Sequence, residues 1–193
     1  MQINLVEVDI SDAAEIAFLH KSNLPGTRMT SFSVKELTHM YEMIINSKKY
    51  RFIVAKNISL EIIGVLIISD EKINFPILNF INKKIFYAYI RSFLLNFYTW
   101  FHEIRVDIYV NKFFKSNLTI SAIFIDKTHR RQRVAFKLLH NFFSESKNSN
   151  STICVRTSTK NTPARNLYES FGFLQVDEFN DTAIFLRDPK ISL

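Results

Sequence analysis

The order of strand-like and helix-like segments in this sequence predicts a mixed α/β fold. Residues 50–55 and 62–68 are rich in β-branched side chains and are separated by a polar turn, so we expect an antiparallel pair of strands. Residues 118–125 form a further predicted strand, and a helix is expected to begin near Arg131, directly after it. The chain has 193 residues, 47% of them hydrophobic, which suffices for one core. We therefore expect a single domain.

The N-terminal part begins with a predicted strand over residues 5–10. Apolar residues at helical spacing behind the caps Asp9 and Ser11 then predict a first helix that ends near Lys21. Ser33 and Glu36 form a capping box, which predicts the start of a second helix. The side chains expected on the buried faces are Ile10, Ala13, Ala14, Ala17 and Phe18 in the first helix, and Val34, Leu37, Tyr41 and Ile44 in the second.

Aromatic side chains dominate the middle of the chain. Pro76 opens a run rich in Phe, Tyr, Ile and Leu, and residues 74–103 are predicted to form one or two helices inserted into the domain. Such an insert can be additional core, which we favour, or it can form a lid over an acceptor pocket or a surface for a partner. Residues 105–110, 152–157 and 183–186 complete the predicted strands.

Composition excludes several classes of site. Gly26, Gly64 and Gly172 are the only glycines, so a glycine-rich phosphate loop is excluded and a phosphate site would need a helix start with basic side chains. The net charge of +7 suits a phosphorylated cofactor, a nucleic acid or an anionic membrane. Cys154 is the only cysteine, which excludes an internal disulfide and predicts a buried strand thiol.

No segment of the sequence predicts export or membrane insertion. The first ten residues mix acidic and apolar side chains and lack the basic, then apolar, pattern of a secretion signal. The charge-free apolar stretch at 92–101 is much shorter than the roughly 20 residues that span a bilayer. We therefore expect a cytoplasmic protein without a transmembrane segment.

Residues 123–135 combine the end of a strand, a short basic loop and the start of a helix. Free backbone N–H groups at a helix start favour anions, and Arg130, Arg131 and Arg133 could add charged contacts to a diphosphate. A basic helix start can also be an ordinary solvated surface. Taken alone, this segment leaves both interpretations open.

Residues 161–173 predict a short helix with clear boundaries. Thr162 is a suitable N-cap, Pro163 suits the first helical position, and Gly172 suits the position after the helix where a left-handed conformation is usual. Aromatic and apolar side chains recur at helical spacing between them. In isolation this pattern is also that of an ordinary core helix.

Together, the two segments resemble the cofactor signatures of the GNAT acyltransferases. The first signature runs Arg or Gln, two residues, Gly, one residue, Gly or Ala, and a leucine pair, and its matches are Arg130, Ala135, Leu138 and Leu139. The second is matched at every place, by Asn161, Ala164, Leu167, Tyr168, Gly172 and Phe173. The departure is Arg133, which stands where the family usually has glycine. An arginine there is tolerable if its φ is negative, as in a first helical turn, and it could then clamp phosphate.

This resemblance implies a central, mostly antiparallel sheet that is splayed at the cofactor site and has helices on both faces. It also implies acetyl-CoA as the acyl donor and no metal. The pantetheine arm would lie against the splayed end of the strand at 118–125, and the diphosphate would lie over the following helix start. The residues that would contact the cofactor are Phe124, Ile125, Arg130, Arg131, Gln132, Arg133, Val134, Ala135, Asn161 and Ala164.

The resemblance further implies direct transfer, in which a neutral amine attacks the thioester. The family's tyrosine, which protonates the departing thiolate, corresponds to Tyr168. No motif identifies the base that deprotonates the amine. We predict His20, while Glu103, Asp107 and a chain of water molecules are alternatives.

The function implied is acetyl transfer to a primary amine of a small molecule, with an amino sugar as one candidate acceptor. The resemblance allows a homodimer. Two other classes stay open at this point. Because of Arg133, the chain could be a degenerate relative that binds CoA or a protein partner without catalysis. It could also be a nucleic-acid-binding module, although its basic residues are dispersed and we expect no nucleic-acid partner.

Overall fold

The computed structural model describes residues 3–47, 49–69, 83–114, 116–145 and 151–188. The strands in these ranges are β1 Asn4–Glu7, β2 Tyr50–Lys56, β3 Ile62–Ser69, β4 Leu118–Ile125, β5 Ile153–Ser158, β6 Leu174–Phe179 and β7 Thr182–Arg187. The α-helices there are α1 Ala13–Asn23, α2 Val34–Asn46, α3 Lys83–Leu95, α4 Phe97–Phe113, α5 Val134–Glu145 and α6 Thr162–Glu169. The predicted mixed α/β class is confirmed.

The strands form one sheet in the order β1-β2-β3-β4-β5-β7-β6. Neighbours are antiparallel, with the exception of the parallel pair β4 and β5. The predicted hairpin is the β2–β3 pair. The predicted strand at 5–10 ends early, because Asp9 caps a 3-10 turn over Ile10–Asp12, and β6 was not predicted.

Helices cover both faces of the sheet, as the resemblance implied. Successive side chains of a strand point to opposite faces, so Phe52 and Val54 pack into the cluster of α1 and α2. Ile53 and Ala55 face the other way, into the cluster of α5 and α6. The predicted core positions of α1 and α2 are only partly confirmed. Ala13, Ala17, Leu37 and Tyr41 are buried and Ile44 is half-buried, whereas Ala14, Phe18 and Val34 are exposed, as is Ile10 before α1.

The capping box at the start of α2 is confirmed. The Ser33 hydroxyl accepts the Glu36 backbone N–H, and the Glu36 carboxylate accepts the Ser33 backbone N–H in return. Cys154 is a buried thiol on β5, as predicted. Burial raises its pKa to about 11, which leaves the thiol protonated and a poor nucleophile.

The predicted strand at 105–110 is wrong, because these residues belong to α4. Their apolar side chains resemble a strand locally, but Trp100, Val106 and Val110 are buried at helical spacing. The insert is helical as predicted, although α4 continues past residue 103, and residues 74–82 lie outside the described ranges. No helix in those ranges combines the length and apolar character needed to cross a membrane.

Candidate active site

β4 and β5 lie side by side only at their beginnings. Residues 118–120 pair with residues 153–155, and the pairing ends there although both strands continue. On its other side, β4 stays paired with β3 as far as Ile125. The backbone of residues 121–125 therefore faces a widening gap, which is the splay that the resemblance implied.

A cavity of about 530 Å³ opens beside this gap. Its wall includes Ser121 and Ala122 from β4 and Thr157 and Ser158 from β5, so it reaches the point where the strands separate. α1, α2, α4 and the loop around Arg28 supply most of the remaining wall. In the described part of the chain, no group of three or more His, Cys, Asp or Glu side chains is arranged to hold a metal ion.

His20 and Tyr41 line the cavity next to each other, and both are almost fully buried. The Tyr41 hydroxyl is hydrogen-bonded to His20 Nδ1, its one partner among the described residues. A buried hydroxyl proton needs an acceptor, so Tyr41 donates to Nδ1 and the imidazole proton resides on Nε2. Burial lowers the pKa of His20 to about 4, so the ring is neutral near pH 7.

His20 Nε2 is a buried nitrogen without a hydrogen-bond partner in the described structure. In the tautomer that Tyr41 selects, this atom is a donor. Phe124, a predicted cofactor contact, is itself buried and packs on the imidazole with the ring centroids 5.1 Å apart. The geometry thus gives His20 a buried N–H without a partner rather than a free basic nitrogen.

A second part of the cavity wall holds two guanidinium groups and two carboxylates that contact one another. The Arg28 backbone N–H donates to Glu103 Oε1 at 2.8 Å, and its Nε lies 3.4 Å from Glu103 Oε2. Arg28 Nη1 and Nη2 each lie 3.4 Å from Asp107 Oδ2, while Arg156 Nη1 donates to Asp107 Oδ1 at 2.7 Å. The four side chains form one network with no net charge.

Within this network the two carboxylates differ in exposure. Asp107 is buried between the two guanidinium groups, with 7% of its side chain exposed. Glu103 is more open, and 30% of its side chain remains accessible. Burial raises the pKa of Glu103, and the nearby Arg28 charge opposes this shift only in part. Glu103 is therefore a carboxylate of raised pKa, and it is the more accessible of the two.

The structure brings together all three side chains considered as the base. His20 comes from α1, Glu103 and Asp107 come from α4, and each lines the cavity. Sequence reasoning missed Arg28 and Arg156, which hold the two carboxylates. Their partners lie at least 49 positions away in the chain, so no local pattern could have identified the network.

The loop between β4 and α5 contains two residues in the left-handed conformation. Arg131 has φ 62° and Arg133 has φ 60°, so the condition for a tolerable arginine at position 133, a negative φ, is not met. The helix also begins at Val134, later than predicted. A non-glycine residue pays roughly 1–2 kcal/mol for this conformation, and such strain is found mainly at functional sites. At position 133 the backbone therefore has the left-handed conformation that glycine favours, although the residue is arginine.

The other predicted cofactor contacts in this loop are exposed or turned toward the protein. The Arg130 guanidinium donates to Asn23 Oδ1 at 3.3 Å and to the Asn23 carbonyl at 3.4 Å, and so ties the loop to the end of α1. Gln132 donates to the Thr128 carbonyl at 3.2 Å. The Arg131 and Arg133 side chains are exposed beside the first turn of α5, which contains Val134 and Ala135.

α6 begins one residue earlier than predicted. Asn161, not Thr162, is the N-cap, and its side chain accepts the Ala164 backbone N–H at 3.3 Å. This contact explains the spacing of Asn161 and Ala164 in the second signature. Gly172 follows the helix with φ 78°, as predicted.

Tyr168 lies on the inner side of α6. It is buried, with its ring centroid 5.8 Å from that of Phe173 and 6.0 Å from that of Phe185. Burial raises its pKa, so the phenol stays protonated. It is not among the side chains that line the cavity.

Residues 68–183, more than half of the chain, match the family model described as an acetyltransferase (GNAT) domain. The chain belongs to this family. It is therefore an acyltransferase of the GNAT type, and the splayed strands and the cavity are its candidate active site. No protein with a curated description matches the GNAT chain in sequence.

Solved structures of similar fold extend over the whole GNAT chain. PH1933 from Pyrococcus horikoshii OT3 is 18% identical with a TM-score of 0.63, and the match covers 98% of this chain and 100% of that one. Arabidopsis thaliana NAA60 in complex with acetyl-CoA is 13% identical, with a TM-score of 0.61 and coverages of 98% and 99%. Mutant forms of the spermidine/spermine N-acetyltransferase SpeG from Vibrio cholerae are 16% identical, with a TM-score of 0.59 and coverages of 98% and 95%. At these identities the likeness concerns the fold.

Proposed function

We propose that this chain transfers an acetyl group from acetyl-CoA to a primary amine of a small molecule. The observation that carries the proposal is a single cavity whose wall includes both the edge of the β4–β5 gap and the carboxylate of Glu103. A thioester held in the gap and an amine held in the cavity would meet where the strands part. Family membership supports the reaction type, and the similar fold of NAA60 with acetyl-CoA supports the donor.

The donor site that we propose follows the loop and helix start after β4. The diphosphate would accept hydrogen bonds from the first backbone N–H groups of α5, at Val134 and Ala135, where the helix dipole also favours anions. Arg131, Gln132 and Arg133 would add side-chain contacts from the rim. The pantetheine arm would pair with the β4 backbone at Phe124 and Ile125, which faces the gap. Arg130, Asn161 and Ala164 would shape this site.

The chemistry that we propose is direct transfer. The acceptor enters as an ammonium ion and gives one proton to Glu103, whose raised pKa and accessibility suit it to the role of base. The neutral amine then attacks the thioester carbonyl carbon, a C–N bond forms, and the C–S bond breaks. Tyr168 would protonate the departing thiolate and would then recover the proton that the acylated nitrogen loses, and this role requires its hydroxyl to reach the gap when CoA is bound.

For His20 we propose a role different from that of a base. Its Nε2–H is the buried donor that lacks a partner, and an unpaired buried donor costs roughly 1–3 kcal/mol. An oxygen atom of the acceptor would remove that cost by accepting this hydrogen bond, which requires neighbouring side chains to open a path to Nε2. His20 would therefore select acceptors that carry a hydroxyl or carbonyl oxygen near the amine.

An amino sugar is the acceptor class that these features support best. The cavity wall carries the hydroxyl groups of Thr27, Ser69, Ser121 and Ser158 in addition to the His20 donor, which suits a polyhydroxylated amine. A polyamine would require an excess of negative charge. Here Arg28 and Arg156 neutralise Glu103 and Asp107, and Asp181 is the one further acidic residue among the described residues of the cavity wall, so a polycation is only weakly attracted.

Thermal unfolding with acetyl-CoA, free CoA and oligonucleotides tests the donor site. A ligand present at 100 times its dissociation constant should stabilise the fold by about 2.7 kcal/mol. We expect both CoA compounds to raise the melting temperature and oligonucleotides to leave it unchanged. Stabilisation by oligonucleotides alone, or by none of these compounds, would contradict the proposal.

Release of CoA thiol from acetyl-CoA, measured with amino sugars, polyamines and amino acids as acceptors, tests the reaction. We expect turnover with an amino sugar, and a fall of about 100-fold in kcat for Glu103→Gln. Glu178→Gln, at an exposed position of β6, is the matched control and should leave kcat unchanged. CoA binding without turnover on any amine would instead identify a cofactor-binding module that has lost catalysis.

A further inference from the structure

α3 directs its more apolar side away from the protein. Toward the core it presents Ala88, Ser92 and one large side chain, Tyr89, and the buried Ser92 hydroxyl accepts the Trp100 indole N–H at 2.9 Å. The exposed side carries more of the large apolar groups. They are Phe86, Tyr87, Ile90, Phe93, Leu94 and Leu95, and Leu94 and Leu95 each keep more than 70% of their surface exposed. A helix that only completes a core would be oriented the other way.

The exposed apolar side chains continue from α3 onto α4. Phe97 at the start of α4 has its ring centroid 5.2 Å from that of Phe93, and it stacks on Phe101 at 5.9 Å. Tyr98 is 82% exposed beside them. Ile108 and Phe113 extend the exposed apolar residues along α4. We call the exposed side chains of α3 and α4 the aromatic face. Its apolar side chains are contiguous, whereas the exposed apolar residues of an ordinary surface are scattered singly.

Charges on the aromatic face are of one sign. Arg105 lies over the Phe101 ring at 5.7 Å, and Lys112 lies over the Phe113 ring at 5.1 Å. Arg91 is exposed too, although it pairs with Glu36 of α2. The two acidic residues of α3 and α4 are Glu103 and Asp107, and both point into the cavity on the opposite side of α4.

We propose that the aromatic face binds an anionic lipid surface. Aromatic rings and aliphatic side chains insert at the boundary between headgroups and acyl chains, while lysine and arginine reach the phosphates, and this is the combination that interfacial helices use. Each cation near a negatively charged membrane strengthens the attachment, and the chain as a whole carries a net charge of +7.

A second copy of the chain fits this face less well. In a two-fold dimer the same patch would face itself, and Arg105 and Lys112 would then meet the same cations of the partner without an exposed acid on either helix. An anionic partner removes that repulsion. Attachment through the outer side of α4 would leave its inner side, with Glu103 and Asp107, in the cavity wall. The surface proposal therefore does not depend on the acetyl transfer proposed above.

Flotation of the full chain with lipid vesicles tests this proposal. Vesicles of phosphatidylcholine alone are compared with vesicles in which one third of the lipid is phosphatidylglycerol, each at low and at high salt. The variant Leu94→Ser/Tyr98→Ser removes two exposed apolar groups from the face. Its matched control, Phe18→Ser/Ile58→Ser, removes two groups of similar exposure from α1 and the β2–β3 turn. Circular dichroism of each variant checks that it is folded.

We expect binding to the anionic vesicles, weaker binding at high salt, and little binding to phosphatidylcholine alone. Leu94→Ser/Tyr98→Ser should lower the affinity for anionic vesicles by at least about tenfold, whereas the control variant should bind like the unchanged chain. The proposal fails if the unchanged chain does not bind anionic vesicles at low salt, or if both variants bind equally. It also fails if vesicles do not bind while ultracentrifugation detects a dimer that Leu94→Ser/Tyr98→Ser abolishes, since the face would then belong to a second copy.

Discussion

The two sides of the cavity are built from different kinds of contact. On the cofactor side, formed by the loop after β4 and by α5 and α6, most of the shaping contacts join near neighbours in the chain, such as Asn161 with Ala164 and Gln132 with Thr128. The exception is Arg130, which reaches Asn23 of α1 across 107 positions. On the acceptor side the contacts join distant segments. Arg28 meets Asp107 across 79 positions, and Arg156 meets Asp107 across 49.

This difference explains why the cofactor side could be predicted from sequence motifs and the acceptor side could not. Backbone turns and helix caps depend on a few consecutive residues, so a short signature can represent them. An ion network assembled from three separate segments leaves no such signature. The acceptor side can therefore change between related chains while the cofactor side keeps its signature, because substitutions in the ion network do not alter the turns of the cofactor loop.

Breaking the ion network should have the largest effect on stability. Asp107→Asn leaves two guanidinium groups without their shared buried partner, and removal of one member of a buried pair typically costs about 3–5 kcal/mol. We expect a loss of that order in the free energy of unfolding, measured with denaturant. Glu42→Gln, which breaks the exposed pair with His39, should cost less than about 1 kcal/mol. Equal losses in the two variants would contradict the special role of the network.

His20 should make the stability of the protein depend on pH. Burial lowers its pKa from 6.5 to about 4, so the unfolded chain binds a proton first as the pH falls. The stabilisation is complete above pH 6.5 and is lost progressively toward pH 4, by at most about 3 kcal/mol. His20→Gln should lose less free energy of unfolding over this range than the unchanged chain. His39→Gln, at an exposed histidine, should follow the unchanged chain, and parallel curves for all three would refute the assignment.

Tyr168→Phe tests whether Tyr168, a buried residue of α6 on the cofactor side, takes part in catalysis. The substitution keeps the ring that packs on Phe173 and Phe185 and removes only the hydroxyl. If the phenol protonates the thiolate, kcat should fall at least about tenfold with unchanged affinity for CoA and little change in melting temperature. An unchanged kcat in the folded variant would mean that Tyr168 serves packing alone and that the thiolate leaves without its proton.

The smallest effect concerns the strained loop of the cofactor side. At Arg133, with φ 60°, glycine should be more stable than alanine by about 1 kcal/mol, because alanine carries the Cβ that opposes this conformation. At Lys137, inside α5, the order should reverse by a similar amount. Thermal unfolding of these four variants provides the comparison. If alanine is the better residue at both positions, the left-handed turn at Arg133 is not present in solution.

Several features of the fold could be predicted because their causes are local. The capping box of Ser33 and Glu36 marks the start of α2, and the polar turn between two β-branched segments marks the β2–β3 hairpin. The two signatures around Arg130 and Tyr168 led to the family that the family match then showed. The strand predicted at 105–110 failed because a short apolar segment has no unique local preference, and packing against the core decided for a helix.

The sequence by itself determined the α/β class, the cofactor signatures and the family, since each depends on residues within a few positions of one another. Only the tertiary structure decided the left-handed form of Arg133, the tautomer that Tyr41 selects for His20, and the neutralisation of Glu103 and Asp107 by Arg28 and Arg156. The physical reason is that burial, charge pairing and the demand of a buried proton for an acceptor depend on which distant segments meet. Those meetings are set by the packing of the whole chain.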